Sequence, residues 1–213
     1  MSFDVVCFDC DSTLSKIEGI DELARRNGIF EQVAALTEAA MNGEMALEEV
    51  YAQRLGLIKP DVAAIDWLAK LYIEELVEGV AETIKILHDN GKRIHIVSGG
   101  LRQSILPLAA YLVIPDECVH AVDVVFDADG QYQDFARHSP LAVSGGKARI
   151  CRKLRLTSSS LVMIGDGKTD LEAKQAGAFM IGFGGVHRRR IVQEQADQYI
   201  TGPSLTAILP YVL

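Results

Sequence analysis

Five short runs rich in β-branched residues, Phe3–Phe8, Arg93–Val97, Ala121–Phe126, Leu161–Ile164 and Ala178–Phe183, end in small or acidic residues and lead into helical patterns. Near-continuous apolarity is what a strand covered on both faces requires, so these runs predict a parallel sheet. The segments Val80–Asn90, Leu101–Leu112, Lys147–Leu154 and Leu171–Ala176 read as helices between them. Right-handed crossovers would place such helices on both faces, giving a three-layer α/β sandwich.

One interval breaks the alternation. From Lys16 to Glu78 the pattern is helical only, carried by Leu23, Val33, Leu36, Met41, Leu47, Val50 and Leu55. An insertion of this kind cannot thread through the sheet, so residues 16–76 are expected to form a helical cap over its C-terminal edge, where open α/β sheets bind ligands. Residues 1–15 and 77–213 would then form the core.

With 213 residues, 49% of them apolar, the chain can bury a sizeable core without staples. Its 21 basic against 29 acidic residues give a net charge of −8, which disfavours nucleic acid as a partner. No stretch reaches the roughly 18 apolar residues of a membrane span and no charged leader precedes Phe3, so the expectation is a cytoplasmic protein, monomer or homodimer, acting on a small molecule. Cys7, Cys10, Cys118 and Cys151 are too few and scattered for a disulfide framework. The Cys7-x-x-Cys10 pair lies in a strand rather than opening a helix, which argues for buried thiols over a redox motif.

The strongest chemical signal is Phe8-Asp9-Cys10-Asp11-Ser12-Thr13 at the end of the first strand. Ionised carboxylates there are expensive unless paired. Residues two apart on an extended chain share a face about 6.5 Å apart, room for a metal ion and a phosphoryl group together. The plainer reading makes one a turn cap and the other a helix start. A second cluster, Gly165-Asp166-Gly167-Lys168-Thr169-Asp170, follows another strand, and two such strand ends imply a hard-cation site, Mg²⁺ first. Asp170 also suits an ordinary first helical turn. Gly167-Lys168-Thr169 imitates a nucleotide phosphate loop, but Val162 stands where the leading glycine belongs. A dinucleotide fingerprint from Gly165 fails at Asp170, where a glycine is needed. Ser98-Gly99-Gly100, between a strand and a helix, suits an anion, and Lys147 would add a point charge if it is not a surface lysine.

In order, Asp9-x-Asp11-x-Thr13, Ser98, Lys147 and Gly165-Asp166-Gly167-x-x-Asp170 resemble the four motifs of the haloacid dehalogenase-like phosphatases. Glu18–Ala24, Val97–Arg102, Ser144–Lys147 and Ile181–Gly185 are similar to the branch of that family that hydrolyses O-phosphoserine. The likeness runs nearly end to end. It implies a Rossmann-like core with a helical cap, and release of L-serine and phosphate in the last step of serine formation. Asp9 would be the nucleophile that becomes an aspartyl-phosphate, and Asp11 the acid for the leaving oxygen and then the base for water. Ser98, Gly99, Gly100, Lys147 and Thr169 would hold the phosphoryl group. Mg²⁺ would sit among Asp9, the backbone carbonyl of Asp11 and Asp166, with Asp170 in support. In the cap, Glu18 would receive the substrate ammonium and Arg54 its carboxylate, with Met41 lining the pocket.

Other readings stay open on the residues alone. Arg54 lies among apolar helical positions and would otherwise pair with Glu48 or Glu49. Thr169 stands where many members carry Asn, and Lys168 replaces a small residue. Arg188-Arg189-Arg190 reads as a solvated helix face, and the five histidines show no metal spacing. A phosphotransferase or a phosphatase of the same fold acting on another phosphomonoester is the nearest alternative. A non-catalytic phospho-metabolite binding module is the distant one, although binding alone needs no protonatable acid beside Asp9.

Overall fold

A computed structural model describes residues 2–41, 45, 47–158 and 160–213. Its first strand, β1 (Val5–Phe8), is buried along its whole length because a parallel neighbour lies on each side. Four helices follow: α1 (Gly19–Arg26), α2 (Phe30–Met41), α3 (Leu47–Ile58) and α4 (Val62–Glu74). The chain re-enters the sheet layer through α5 (Val80–Asp89) and β2 (Arg93–Leu101), then α6 (Arg102–Tyr111) and β3 (Val119–Val122). After a hairpin of β4 (Val124–Phe126) and β5 (Tyr132–Phe135), α7 (Gly146–Arg155) leads to β6 (Leu161–Gly165) and α8 (Lys168–Leu171). The remainder is β7 (Phe179–Phe183), α9 (Arg190–Gln195), β8 (Gln198–Ile200) and α10 (Leu209–Val212).

The main sheet has the order β3-β2-β1-β6-β7-β8, with every pairing parallel. The chain leaves β1 to one side for β2 and returns on the other for β6, which makes the β1 edge a topological switch point. Register then decides which side chains meet. Phe8 is level with Ile96 on β2 and with Ile164 on β6, so Asp9, Ser98 and Asp166 all emerge just past one line across three adjacent strands.

Around this edge the four-helix insertion is tied to the core at a two-stranded neck. Val77 N donates to Leu14 O at 3.0 Å and Lys16 N to Glu75 O at 2.8 Å, and Ser15 bridges Leu76. Apolar residues of these helices, among them Leu23, Leu55, Leu68 and Tyr72, are continuous with the sheet's core.

The structure departs from the sequence reading in places with clear causes. Arg93–Val97 extends to Leu101, because Ser98, Gly99 and Gly100 stay extended across a register shift against β3. Ala121–Phe126 divides into β3 and β4, the latter leaving the main sheet to pair antiparallel with β5. The signal for that hairpin was Asp129-Gly130, where Gly130 adopts φ 76° and Asp127 N reaches Gln131 O at 2.9 Å. Leu171–Ala176 forms only the end of α8 and a 3₁₀ turn, stopped by Gly177 at φ 73°. The three-residue β8 is too short to show a pattern.

None of the histidines belongs to the candidate site, but two adjoin in the sheet. His95 Nδ1 lies 3.2 Å from His120 Nε2, with the rings stacked. Burial, then the His120 charge, lowers the His95 pKa to about 4 from the usual 6.5, and burial lowers His120 as well. The unfolded chain therefore takes up a proton near pH 6.5 that the folded His95 refuses until about pH 4. Stability from this group is complete above pH 6.5 and is lost as pH falls towards 4. Unfolding free energies from denaturant titrations at pH 7 and pH 5 should differ less in His95→Gln than in the natural protein, by roughly 1–2 kcal/mol.

Candidate active site

Where β1 ends, the chain must turn sharply, and Ser12 takes a left-handed backbone at φ 54° to do so. The turn is held by Leu14 N and Ser15 N, both donating to Cys10 O, and by Ser12 Oγ donating to Glu18 Oε1 at 2.7 Å. Asp9 and Asp11 thereby face one cavity of about 210 Å³, small enough for a metabolite rather than a drug-sized ligand. Glu18, Arg54, Gly99, Lys147, Asp166 and Thr169 line it too. These eight positions, far apart in sequence, were all expected at the site.

Lys147 is the electrostatic centre. Only 5% exposed, its ammonium contacts Asp9 Oδ2 at 2.6 Å and Asp170 Oδ1 at 2.5 Å. Burial alone would discharge it, but Asp170 and Asp9 outweigh that and raise its pKa, so it remains a cation. It is no surface lysine. Asp170, fully buried, spends its second oxygen on Gly167 N at 2.9 Å. A Cβ on Gly165 would lie 2.2 Å from the Asp170 carboxyl carbon, so that glycine is required by the close approach.

Asp9, Asp166 and Asp170 each offer an oxygen, all within 4.8 Å of one another. A buried, oxygen-only, anionic set suits a hard divalent cation, and the residues fit a metal on that ground. Asp9 Oδ1 accepts from Cys10 N at 2.7 Å. Burial, then the charges of Asp9 and Glu18, raise Asp166 to about pKa 6, while burial lifts Asp170 to about 8. Burial followed by the charges of Glu18 and Asp9 raises Asp11. The shifts come first from burial and second from neighbouring acids, and a bound cation would offset both costs.

Arg54 sits on α3 with its guanidinium against the cavity. One nitrogen reaches Thr37 Oγ1 at 3.3 Å, and Nε has no hydrogen-bond partner among the described residues. Glu48 and Glu49 face solvent, so pairing with them is not what holds it. Burial lowers its pKa. A buried cation with a spare donor is a ready carboxylate site.

Other expected residues stand behind the wall. Ser98 is fully buried and its Oγ accepts from Gly100 N at 3.0 Å, and neither residue lines the cavity. Asp170 likewise acts through Lys147 and Gly167. Lys168 is exposed, and the Met41 side chain lies outside the described residues.

Ile20, Asp21 and Leu141 also line the cavity and were not expected there, and three further missed side chains make hydrogen bonds at the site. Arg189 corrects the reading of the basic run: Arg188 and Arg190 are solvated, whereas Arg189 Nε donates to Asp166 Oδ2 at 2.9 Å and Nη2 reaches Glu18 Oε1 at 3.4 Å. No sequence signal separated it from its neighbours, because the loop after β7, not a helical period, aims it. Tyr51, on α3, donates to Gly99 O at 3.0 Å. Tyr72, on α4, donates to Asp11 Oδ1 at 2.6 Å, and Gly19 N donates to the same oxygen at 3.0 Å. Both tyrosines are buried at helical positions, and nothing in the sequence marks their hydroxyls.

Known proteins resemble this chain in sequence and fold. The model of the haloacid dehalogenase-like hydrolases covers residues 3–177. A phosphoserine phosphatase of Mus musculus is 38% identical over 202 residues, spanning 94% of this chain and 90% of its own. Two solved structures cover both chains fully: a substrate-bound phosphoserine phosphatase, 27% identical with a TM-score of 0.83, and a phospho-aspartyl intermediate analogue of phosphoserine phosphatase, 26% identical with a TM-score of 0.79. The chain belongs to the haloacid dehalogenase-like hydrolases and, within them, to the phosphoserine phosphatase family.

Proposed function

We propose that the chain hydrolyses O-phospho-L-serine to L-serine and phosphate through an aspartyl-phosphate on Asp9. The observation that carries this reading is one small cavity joining the strand-end pair Asp9 and Asp11 to Lys147 and to Arg54, whose Nε has no hydrogen-bond partner among the described residues. A phosphate at one end and an amino-acid carboxylate at the other fit those charges.

Asp9 attacks phosphorus, with its carboxylate held by Cys10 N and Lys147. Asp11, its pKa raised chiefly by burial, gives a proton to the departing serine oxygen and afterwards takes one from the water that attacks the phosphoenzyme. Lys147 balances charge on Asp9 and the phosphoryl oxygens. Gly99 and Thr169 border the phosphoryl end, and Ser98 and Gly100, bonded to each other, back that wall. Glu18 takes the ammonium and Arg54 the carboxylate.

We assign Mg²⁺ to the acidic set of Asp9 and Asp166 with Asp170 in support, and to the Asp11 backbone carbonyl as the family likeness implies; when bound it would neutralise the carboxylates and the substrate phosphate. Residues 16–76 serve as the cap, and 1–15 with 77–213 as the core. The neck between Leu14 and Val77 supports those boundaries. Among the described residues no helix is long and apolar enough to cross a membrane, and the four cysteines are free, which supports a cytoplasmic setting.

Asp9→Asn should reduce phosphate release from phosphoserine by at least roughly 10³-fold while circular dichroism shows an intact fold. Appreciable turnover would remove Asp9 as nucleophile. Arg54→Ala should lower kcat/KM for phosphoserine about 10- to 100-fold, as loss of a charged hydrogen bond implies, but that for phenyl phosphate by less than about threefold. Equal losses would take Arg54 out of carboxylate recognition. In metal-stripped protein, Mg²⁺ should raise the melting temperature and restore turnover, and Asp166→Asn should abolish the melting response. An undiminished response in that variant would place the metal elsewhere.

A further inference from the structure

Tyr72 lies 61 residues from Asp11, on a helix of the insertion rather than on the sheet, yet its hydroxyl makes the shortest hydrogen bond to that carboxylate, at 2.6 Å. The side chain is fully buried. Room for it comes from glycine: a Cβ on Gly19 would stand 2.1 Å from the hydroxyl oxygen, and one on Gly100 would stand 3.4 Å away. The packing is therefore built around this hydroxyl. A buried phenol needs a partner, and phenylalanine would fill the same space among apolar neighbours without one.

Both donors to Asp11, the Tyr72 hydroxyl and Gly19 N, fall on Oδ1. An oxygen that already accepts two hydrogen bonds has no place for a proton of its own. When Asp11 is protonated, the proton sits on Oδ2.

We propose that Tyr72 is a positioning residue for the reaction: with Gly19 N it clamps Oδ1 of Asp11, so that Oδ2 is the oxygen that passes the proton to the leaving group. This rests on Asp11 being the general acid of the proposed hydrolysis. The clamp then matters in proportion to how much the departing oxygen needs a proton. A serine alkoxide needs one badly, and p-nitrophenolate hardly at all.

The test is Tyr72→Phe, which keeps the ring and removes only the hydroxyl, assayed on both substrates with melting temperatures recorded. We expect kcat/KM for phosphoserine to fall roughly 10- to 100-fold, carried by kcat with KM within about threefold, and that for p-nitrophenyl phosphate to fall by clearly less. Gly19→Ala, which pushes the tyrosine hydroxyl aside, should show the same substrate bias. Equal losses on the two substrates, or no loss on phosphoserine, would overturn the assignment and leave Tyr72 as packing. If the natural protein itself releases no phosphate from phosphoserine, the functional reading fails and the clamp with it; equal losses in an active enzyme overturn the clamp alone.

Discussion

A buried ammonium gripped by two carboxylates is the contact on which the site depends. Lys147 contacts both Asp9 and Asp170, and little solvent reaches either acid to dilute its charge: Asp9 is 7% exposed and Asp170 0%. Removing the lysine would strand two anions in a low dielectric, at several kcal/mol. Removing either acid would leave the cation under-paired. The residues around it follow from this constraint: Gly165 has no side chain because the Asp170 carboxyl occupies the space one would take, and Gly167 turns its N–H to the same group.

Even so, the cluster remains short of positive charge. Asp9, Asp11, Glu18, Asp21, Asp166 and Asp170 face Lys147, Arg189 and Arg54, and burial first, with neighbouring acids second, raises the pKa values of Asp11, Glu18, Asp166 and Asp170. Protons can make up the difference, and so can a divalent cation. Arg189 takes a middle position, bridging a proposed metal ligand, Asp166, to a proposed substrate ligand, Glu18. The helical insertion contributes in the same manner, since Tyr51 reaches Gly99 and Tyr72 reaches Asp11. Its helices carry hydrogen-bonding groups into the site and do more than cover it.

The parallel sheet was legible because its strands are buried on both faces and so read as unbroken apolar runs. Asp9 and Asp166 were legible for the converse reason, as charges placed where burial penalises them. Lys147 and Arg54 needed the family likeness, since on the residues alone each suited an exposed pairing as well. What stayed hidden was set by tertiary aim. Tyr51 and Tyr72 occupy core positions of their helices and only their hydroxyls reach the site. Arg189 is indistinguishable in sequence from Arg188 and Arg190. The β4–β5 hairpin was absorbed into a neighbouring run because Asp123 alone separates β3 from β4.

The account turns on whether Asp9 bonds to phosphorus. The direct measurement is a rapid acid quench of the Mg²⁺-loaded protein during turnover of ³²P-labelled phosphoserine, followed by peptide mapping of the label. The account predicts a hydroxylamine-labile phosphoryl group on the peptide that carries Asp9. Label fixed to another residue, or none at any quench time during steady turnover, would contradict it.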